Sequence, residues 1–283
     1  MSNRFQNGIR YLPTLPSVLQ KLLATLDDPD STASDLERIL ANDQSLAAKI
    51  LSVANSAYYG FKEEIVTVRR AVVVLGFNEV RNLCLGATLM GYLSPQRFRA
   101  PRAMEQLWLH ALATAEAGKL LAQRAGRPAP DRAYSAGLLH DLGKVVAAAL
   151  FPDQEAKLRD VVLNRGISSR QAEKELDLDH TELGREFGLH WELPAMLCQV
   201  MGGHHGPTKL LCQLPEVANA HLADVMANQI HLGDSGNYDP LLPDPRALEY
   251  LGMSAQDFAA CRALLKEHRE AVETIWRFLI ATT

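Results

Sequence analysis

Apolar residues recur at helical spacing along almost the whole chain, and this periodicity constrains the fold more than any other feature. Leu36, Ile39 and Leu40, then Val80, Leu83 and Cys84, then Leu109, Leu112 and Ala113, repeat at intervals of three and four residues. That spacing lines one face of a 3.6-residue helix. Alternating stretches are few, so an all-α fold is expected. Ser34 with Glu37 and Ser254 with Asp257 have the spacing of capping boxes at helix starts. Pro13 and Pro16 open the first helix, Pro29 follows an acidic turn, Gly60 and Gly76 end segments, and Pro95 with Pro101 bracket a polar gap. The run Ala71 to Leu75 fits a short strand or a helix end equally well.

The balance of charges narrows the partners. Lys and Arg number 29 against 33 Asp and Glu, for a net charge of −4, which argues against binding nucleic acid through bulk phosphate neutralisation. The longest apolar runs, Ala71 to Gly76 and Val145 to Phe151, fall far short of the ~20 residues of a membrane span. No membrane association is expected. MSNRFQNGIRYLP at the N-terminus offers no apolar stretch for a secretory signal, so a cytoplasmic location is expected. Cys84, Cys198, Cys212 and Cys261 form no CxxC pair and read as small core residues.

Histidines divide the chain more sharply than any linker. None of the nine precedes residue 110, and seven lie between 110 and 224. A scaffold over residues 1–100 and a chemical domain over 101–283 are the expected divisions. At the centre of the second lies AGLLHDLGK, residues 136–144, where an apolar helix presents His140, Asp141 and Lys144 together. Imidazole and carboxylate are ligands for iron, manganese, nickel or zinc. An unpaired carboxylate in so apolar a segment is costly without a metal or a partner. Further donors follow the same pattern: His110, His180, His204, His205 and Asp224. Seven donors suit two divalent metals sharing a bridging carboxylate, a centre that activates water and clamps a phosphoryl group. Lys144, one turn beyond the pair, carries a charge suited to an anionic phosphate rather than a metal. In an enzyme, Asp141 and Lys144 would be the catalytic pair, with Lys144 also binding substrate. Sequence alone leaves open which of His204 and His205 points inward, and a solvated helix end remains the alternative for Lys144.

The order His110, His140-Asp141, Asp224 resembles the H…HD…D signature of the HD superfamily of helical metal-dependent phosphohydrolases. His180, His204 and His205 resemble the second-metal ligands of its HD-GYP branch, which hydrolyses cyclic di-GMP. A wider resemblance, over about 12–212, is to the HDOD family. It is carried by LPTLPSVLQKLL from Leu12, ANDQSLAAKILSVANSAYYGF from Ala41, VRRAVVVLGFNEVRNL from Val68, then LWLHALATA, AYSAGLLHDLGK and LDHTELGREFGLHWELPAMLCQVMGGHHG. That resemblance implies an N-terminal helical bundle packed on an HD-type helical domain. It also implies a bacterial signal-transduction role of the response-regulator type, exercised on regulatory protein partners such as two-component or cyclic-nucleotide signalling proteins. The chain departs from HD-GYP after His205, where Gly206-Pro207-Thr208 replaces the usual acidic residue and loop. Cyclic di-GMP hydrolysis is therefore not expected, while metal binding is.

The favoured reading is regulation through protein contacts around a metal-competent centre. A phosphohydrolase or phosphodiesterase acting on a nucleotide or cyclic dinucleotide is the alternative. His221, three residues before Asp224, reads as packing or as a partner of a ligand, and His190, His231 and His268 read as structural. Asn55 and Ser56 read as a turn-fixing step, Tyr58, Tyr59 and Phe61 as core, and Arg69, Arg70 and Arg81 as a solvated basic face.

Overall fold

The computed structural model describes residues 16–28, 30–56, 59–93, 98–206, 212–237 and 242–280. Pro13, Pro29, Tyr58, Pro95 and the Pro207-Thr208 step lie outside them. The described residues are helical without strands, as the periodicity predicts. The run from Ala71 resolves as the end of a helix. The chain divides into two compact units, one spanning residues 15–94 and 268–283, the other centred on 95–267.

In the first unit, α1 (Ser17–Asp27), α2 (Ala33–Leu40), α3 (Gln44–Ala54), α4 (Val68–Leu75) and α5 (Phe77–Tyr92) bury the apolar faces that the spacing marks. The N-cap of α2 is two residues earlier than expected. Thr32 and Asp35 form the capping box, Thr32 N–H donating to Asp35 Oδ2 at 2.9 Å, in place of Ser34 and Glu37. Thr32 outcompetes Ser34 because Ser34 already lies inside the helix. Asn55 does fix a turn: its amide donates to Ile65 O at 2.8 Å and accepts from Ile65 N–H at 2.7 Å. Two expectations are corrected here. Arg81 is buried, bonded to Thr25 O at 3.1 Å and lying over the Phe77 ring, whereas Arg69 sits on the surface against Glu37. Phe61 stacks on Tyr59 and is 42% exposed rather than core. Among the described residues no single helix is long and apolar enough to cross a membrane.

The last helix, α16 (Arg269–Ile280), belongs to this first unit and not to a continuous 101–283 domain. Its Ala271, Val272, Ile275 and Leu279 are buried, and buried Lys49 of α3 donates to Leu279 O at 3.1 Å, closing an open carbonyl of its final turn. Lys49→Ala removes that bond and the buried stem. A loss of about 1–3 kcal/mol is expected, visible as faster amide exchange across residues 269–280.

The second unit holds α6 (Pro101–Ala125), α7 (Pro130–Leu139), α8 (Leu142–Leu150), α9 (Pro152–Arg165), α10 (Ser169–Leu176), α11 (His180–His190), α12 (Ala195–Gly203), α13 (Pro215–Gln229), α14 (Pro245–Leu251) and α15 (Ala255–Glu267). Small residues set its core. Ala115 of α6 lies against Gly137 of α7, where an added Cβ would stand 2.6 Å from Thr114 O and 2.8 Å from Ala115 Cα, and a Cβ added to Gly118 of α6 would stand 2.9 Å from Ala133 O of α7. The close approach carries the middle of α6 to the end of α7, where the chain turns into α8. The Ser254–Asp257 capping box forms as expected, with bonds of 2.9 and 3.1 Å.

Candidate metal centre

The seven donors singled out from the sequence come from five places in the second unit. His110 lies mid-way along α6, and Asp224 lies on the adjoining α13. His140 and Asp141 occupy the break between α7 and α8. His180 opens α11, and His204 and His205 follow α12. Six of the seven are at most 2% exposed, and the His205 side chain is 9% exposed. Both members of the 204–205 pair point inward.

Asp141 is the hub. Its Oδ1 lies 3.2 Å from His180 Nε2 and 3.4 Å from His204 Nε2, while its Oδ2 lies 3.3 Å from His140 Nε2. Asp224 lies opposite, Oδ1 at 3.0 Å from His110 Nε2 and 3.7 Å from His140 Nε2, Oδ2 at 3.7 Å from His205 Nε2. Donor atoms of Asp141, His180, His204 and His205 fit within 4.8 Å of one another, as do those of His110, His140 and Asp141. Asp141 is thus shared by two groups.

Each of three histidines is held from outside by its other nitrogen. His140 Nδ1–H donates to Gly137 O at 2.7 Å, His180 Nδ1–H to Glu173 Oε1 at 2.5 Å, and His204 Nδ1–H to Val200 O at 3.1 Å. Those bonds turn each Nε2 toward the centre, where the deprotonated ring offers a metal its lone pair. The Nε2 atoms of His140, His180, His204 and His205, with Asp141 Oδ1 and Asp224 Oδ2, are buried without a hydrogen-bond partner. Six orphaned buried atoms within one cluster are costly, and a divalent cation is the species that satisfies acceptors converging in this way. The donor set fits a divalent metal.

Charge in the metal-free cluster follows the same geometry. Burial works to raise Asp141 and is outweighed by His140 and Lys144, holding its carboxyl well below the usual range. Asp224 is likewise held low against burial by its bonds to His110 and His140. Burial opposes the charge on His140, but Asp141 and Asp224 prevail and push it up to about 10. Burial takes His204 down to about 4. His140 therefore carries a proton at neutral pH that a metal must displace. Uptake is expected to release about one proton from this group and to tighten as pH rises toward 10, levelling above it. Calorimetry of metal binding in two buffers of different ionisation enthalpy reads that proton directly.

Lys144 is no solvated helix end. Its ammonium donates to Asp141 Oδ2 at 2.6 Å and to Ser235 O at 2.9 Å, and its side chain is 13% exposed. Ser235 Oγ bonds Asn228 Oδ1 at 2.7 Å, and the Asn228 amide donates to Asp224 Oδ1 at 2.7 Å. A chain of bonds thus joins the two aspartates. Glu173, Asn228 and Ser235 are the residues that sequence reading missed. Asn228, four residues after Asp224 on the same helical face, had a spacing signal; Glu173 and Ser235 had none. Glu173→Gln is expected to free the His180 ring and lower metal affinity by about 10–100-fold, measurable by competition with a chelating dye. His221 Nδ1–H donates to His204 O at 3.0 Å, so it steadies a ligand backbone. His190 is exposed at the end of α11.

A cavity of about 340 Å³ opens beside the centre, with Lys144, Glu173 and His180 in its wall.

This helical fold and its buried histidine–aspartate cluster define an HD-type helical protein. The chain belongs to the HDOD family, whose domain model matches residues 12–207. An HDOD domain protein of unknown function from Geobacter sulfurreducens superposes with a TM-score of 0.84 at 27% identity, covering 97% of this chain and 95% of that one. A candidate phosphohydrolase from Shewanella amazonensis shares the fold, with a TM-score of 0.77 at 22% identity and 98% of both chains covered. An uncharacterised protein of Treponema pallidum is 28% identical over 196 residues, 69% of this chain. The chain spans 37% of the length of that relative.

Proposed function

We infer that this chain is a signalling protein of the HDOD family whose seven-donor cluster holds a dinuclear metal centre with hydrolytic chemistry toward phosphate esters. The observation that carries this reading is the set of six buried, partnerless donor atoms aimed at one place. Two divalent ions bound there supply water activation and an electrostatic clamp on a phosphoryl group. The chain's own residues provide the remainder. Asp141 and Asp224 offset the cationic charge, Glu173 holds His180 in its tautomer, and Asn228 and Ser235 tie Asp224 to Lys144. Lys144 uses two of its three N–H donors inside the protein, and the third is available to a phosphate oxygen. The net change is addition of water across a P–O ester bond, giving phosphate and an alcohol that takes the proton.

The test is turnover by the chain reconstituted with iron, manganese, nickel or zinc, against phosphate monoesters and cyclic dinucleotides. Hydrolysis that falls at least tenfold in Lys144→Met supports the reading; a loaded chain that turns over none of them removes its hydrolytic part. A second reading, regulation through protein contacts, is favoured by one feature of the first unit. Phe61, Val66 and Val73 are 42%, 67% and 68% exposed within residues 61–73, apolar side chains that a protein partner would cover.

A further inference from the structure

We propose that the cavity beside the centre binds a phosphate ester of an aliphatic chain, with the anionic head at Lys144 and His180 and the hydrocarbon along the opposite wall. The position of the head rests on the reading of the metal centre given above; the identity of the tail rests on the cavity itself. At about 340 Å³ it lies near the lower end of the ~300–1000 Å³ typical of small-molecule sites. Met104, Leu107, Leu158, Val162 and Leu178 form its apolar wall, and among the described residues Phe98 is the one Phe, Tyr or Trp lining it. Ala147 and Ala148 of α8 add only methyl groups to its lining.

The lining discriminates between ligand classes. A nucleobase asks for an aromatic face and for polar groups along its edge. The tryptophans on the sequence near the donors cannot serve: Trp108 is 2% exposed in the core, and Trp191 packs on Phe187 with ring centroids 4.1 Å apart. Neither lines the cavity. Two of the arginines at the cavity are already engaged, Arg99 with Asp153 and Arg159 with Glu155 at 2.8 Å. Lys144 supplies positive charge for the anionic head, the lining carboxylates Glu155 and Glu173 being paired with Arg159 and with His180, and the apolar wall rewards hydrocarbon.

Calorimetric titration of the metal-loaded full chain with decyl phosphate, adenosine monophosphate and inorganic phosphate tests this, with decyl phosphate kept below its micelle concentration. Decyl phosphate is expected to bind about tenfold or more tightly than the other two, since each buried methylene strengthens binding several-fold. Ala148→Phe, which fills the cavity, is expected to weaken it by about tenfold or more, with metal content per chain as in the wild type. Leu163→Glu, at a position 67% exposed and safe for folding, is expected to weaken it several-fold. Equal or tighter binding of adenosine monophosphate, or binding unchanged in both variants, overturns the proposal. Preferential binding of decyl phosphate without its hydrolysis keeps the cavity assignment and removes the hydrolytic reading. Hydrolysis of nucleotide esters with no preference for decyl phosphate does the reverse.

Discussion

Asp141→Ala is expected to empty the centre, taking the chain from near two metals to under about 0.2 per chain, because both donor groups lose the one residue they share. Of the seven donors, Asp141 is the one common to these two groups. Asp141 alone places one oxygen toward His180 and His204 and the other toward His140 and Lys144. The variant also leaves the charges of His140 and Lys144 facing each other without their carboxylate. In the metal-free protein that costs about 3–5 kcal/mol, the range for removing one partner of a buried ion pair. Thermal denaturation of metal-free wild type and variant measures this part separately from elemental analysis of the loaded pair. His110→Ala should behave differently, losing metal partially, since His110 belongs to only one of the two donor groups. Equal metal content in wild type and Asp141→Ala would mean that Asp141 is not the shared ligand.

Gly143→Ala is expected to cost more than about 3 kcal/mol, at or beyond the upper end for overpacking, and to disorder the centre with it. A Cβ at 143 would lie 1.8 Å from His180 O and 2.7 Å from Gly184 N. Both are backbone atoms of α11, so no side chain can rotate aside, and α8 must part from α11 where Asp141 and His180 face each other. The result predicted is a lower melting temperature together with weaker metal retention. Gly91→Ala serves as the comparison, since its added methyl meets nothing within 4 Å, and its stability should change little or rise slightly. Similar behaviour of the two variants would contradict the close packing of α8 on α11.

How much of this was legible in the sequence depends on the range of the interaction that decides it. Helices are announced by local periodicity, and the donors by their chemistry at apolar positions, so the all-α class and all seven cluster residues are visible in the chain itself. The capping register at Thr32 turned on which of two hydroxyls stands just outside the helix, a choice of two residues that spacing alone leaves unresolved. The return of α16 to the first unit turned on contacts across more than two hundred residues, Lys49 to Leu279 among them. Arg81 read as surface because its partner, Thr25 O, is a backbone atom that leaves no trace in composition. Glu173 is the most instructive case. An acidic residue on a polar helix looks solvated, and only the packing of α10 against the start of α11 turns it onto His180. Outer partners of ligands are in general invisible in this way, because they are chosen by three-dimensional proximity and not by a motif.

The most direct test of the account is elemental analysis of the wild-type chain purified without chelator and again after reconstitution with iron, manganese, nickel or zinc. Near two metals per chain for at least one of these, retained through gel filtration, is the predicted result. Under about 0.2 per chain in every preparation would contradict it, and would leave the buried imidazoles and carboxylates balanced only against one another.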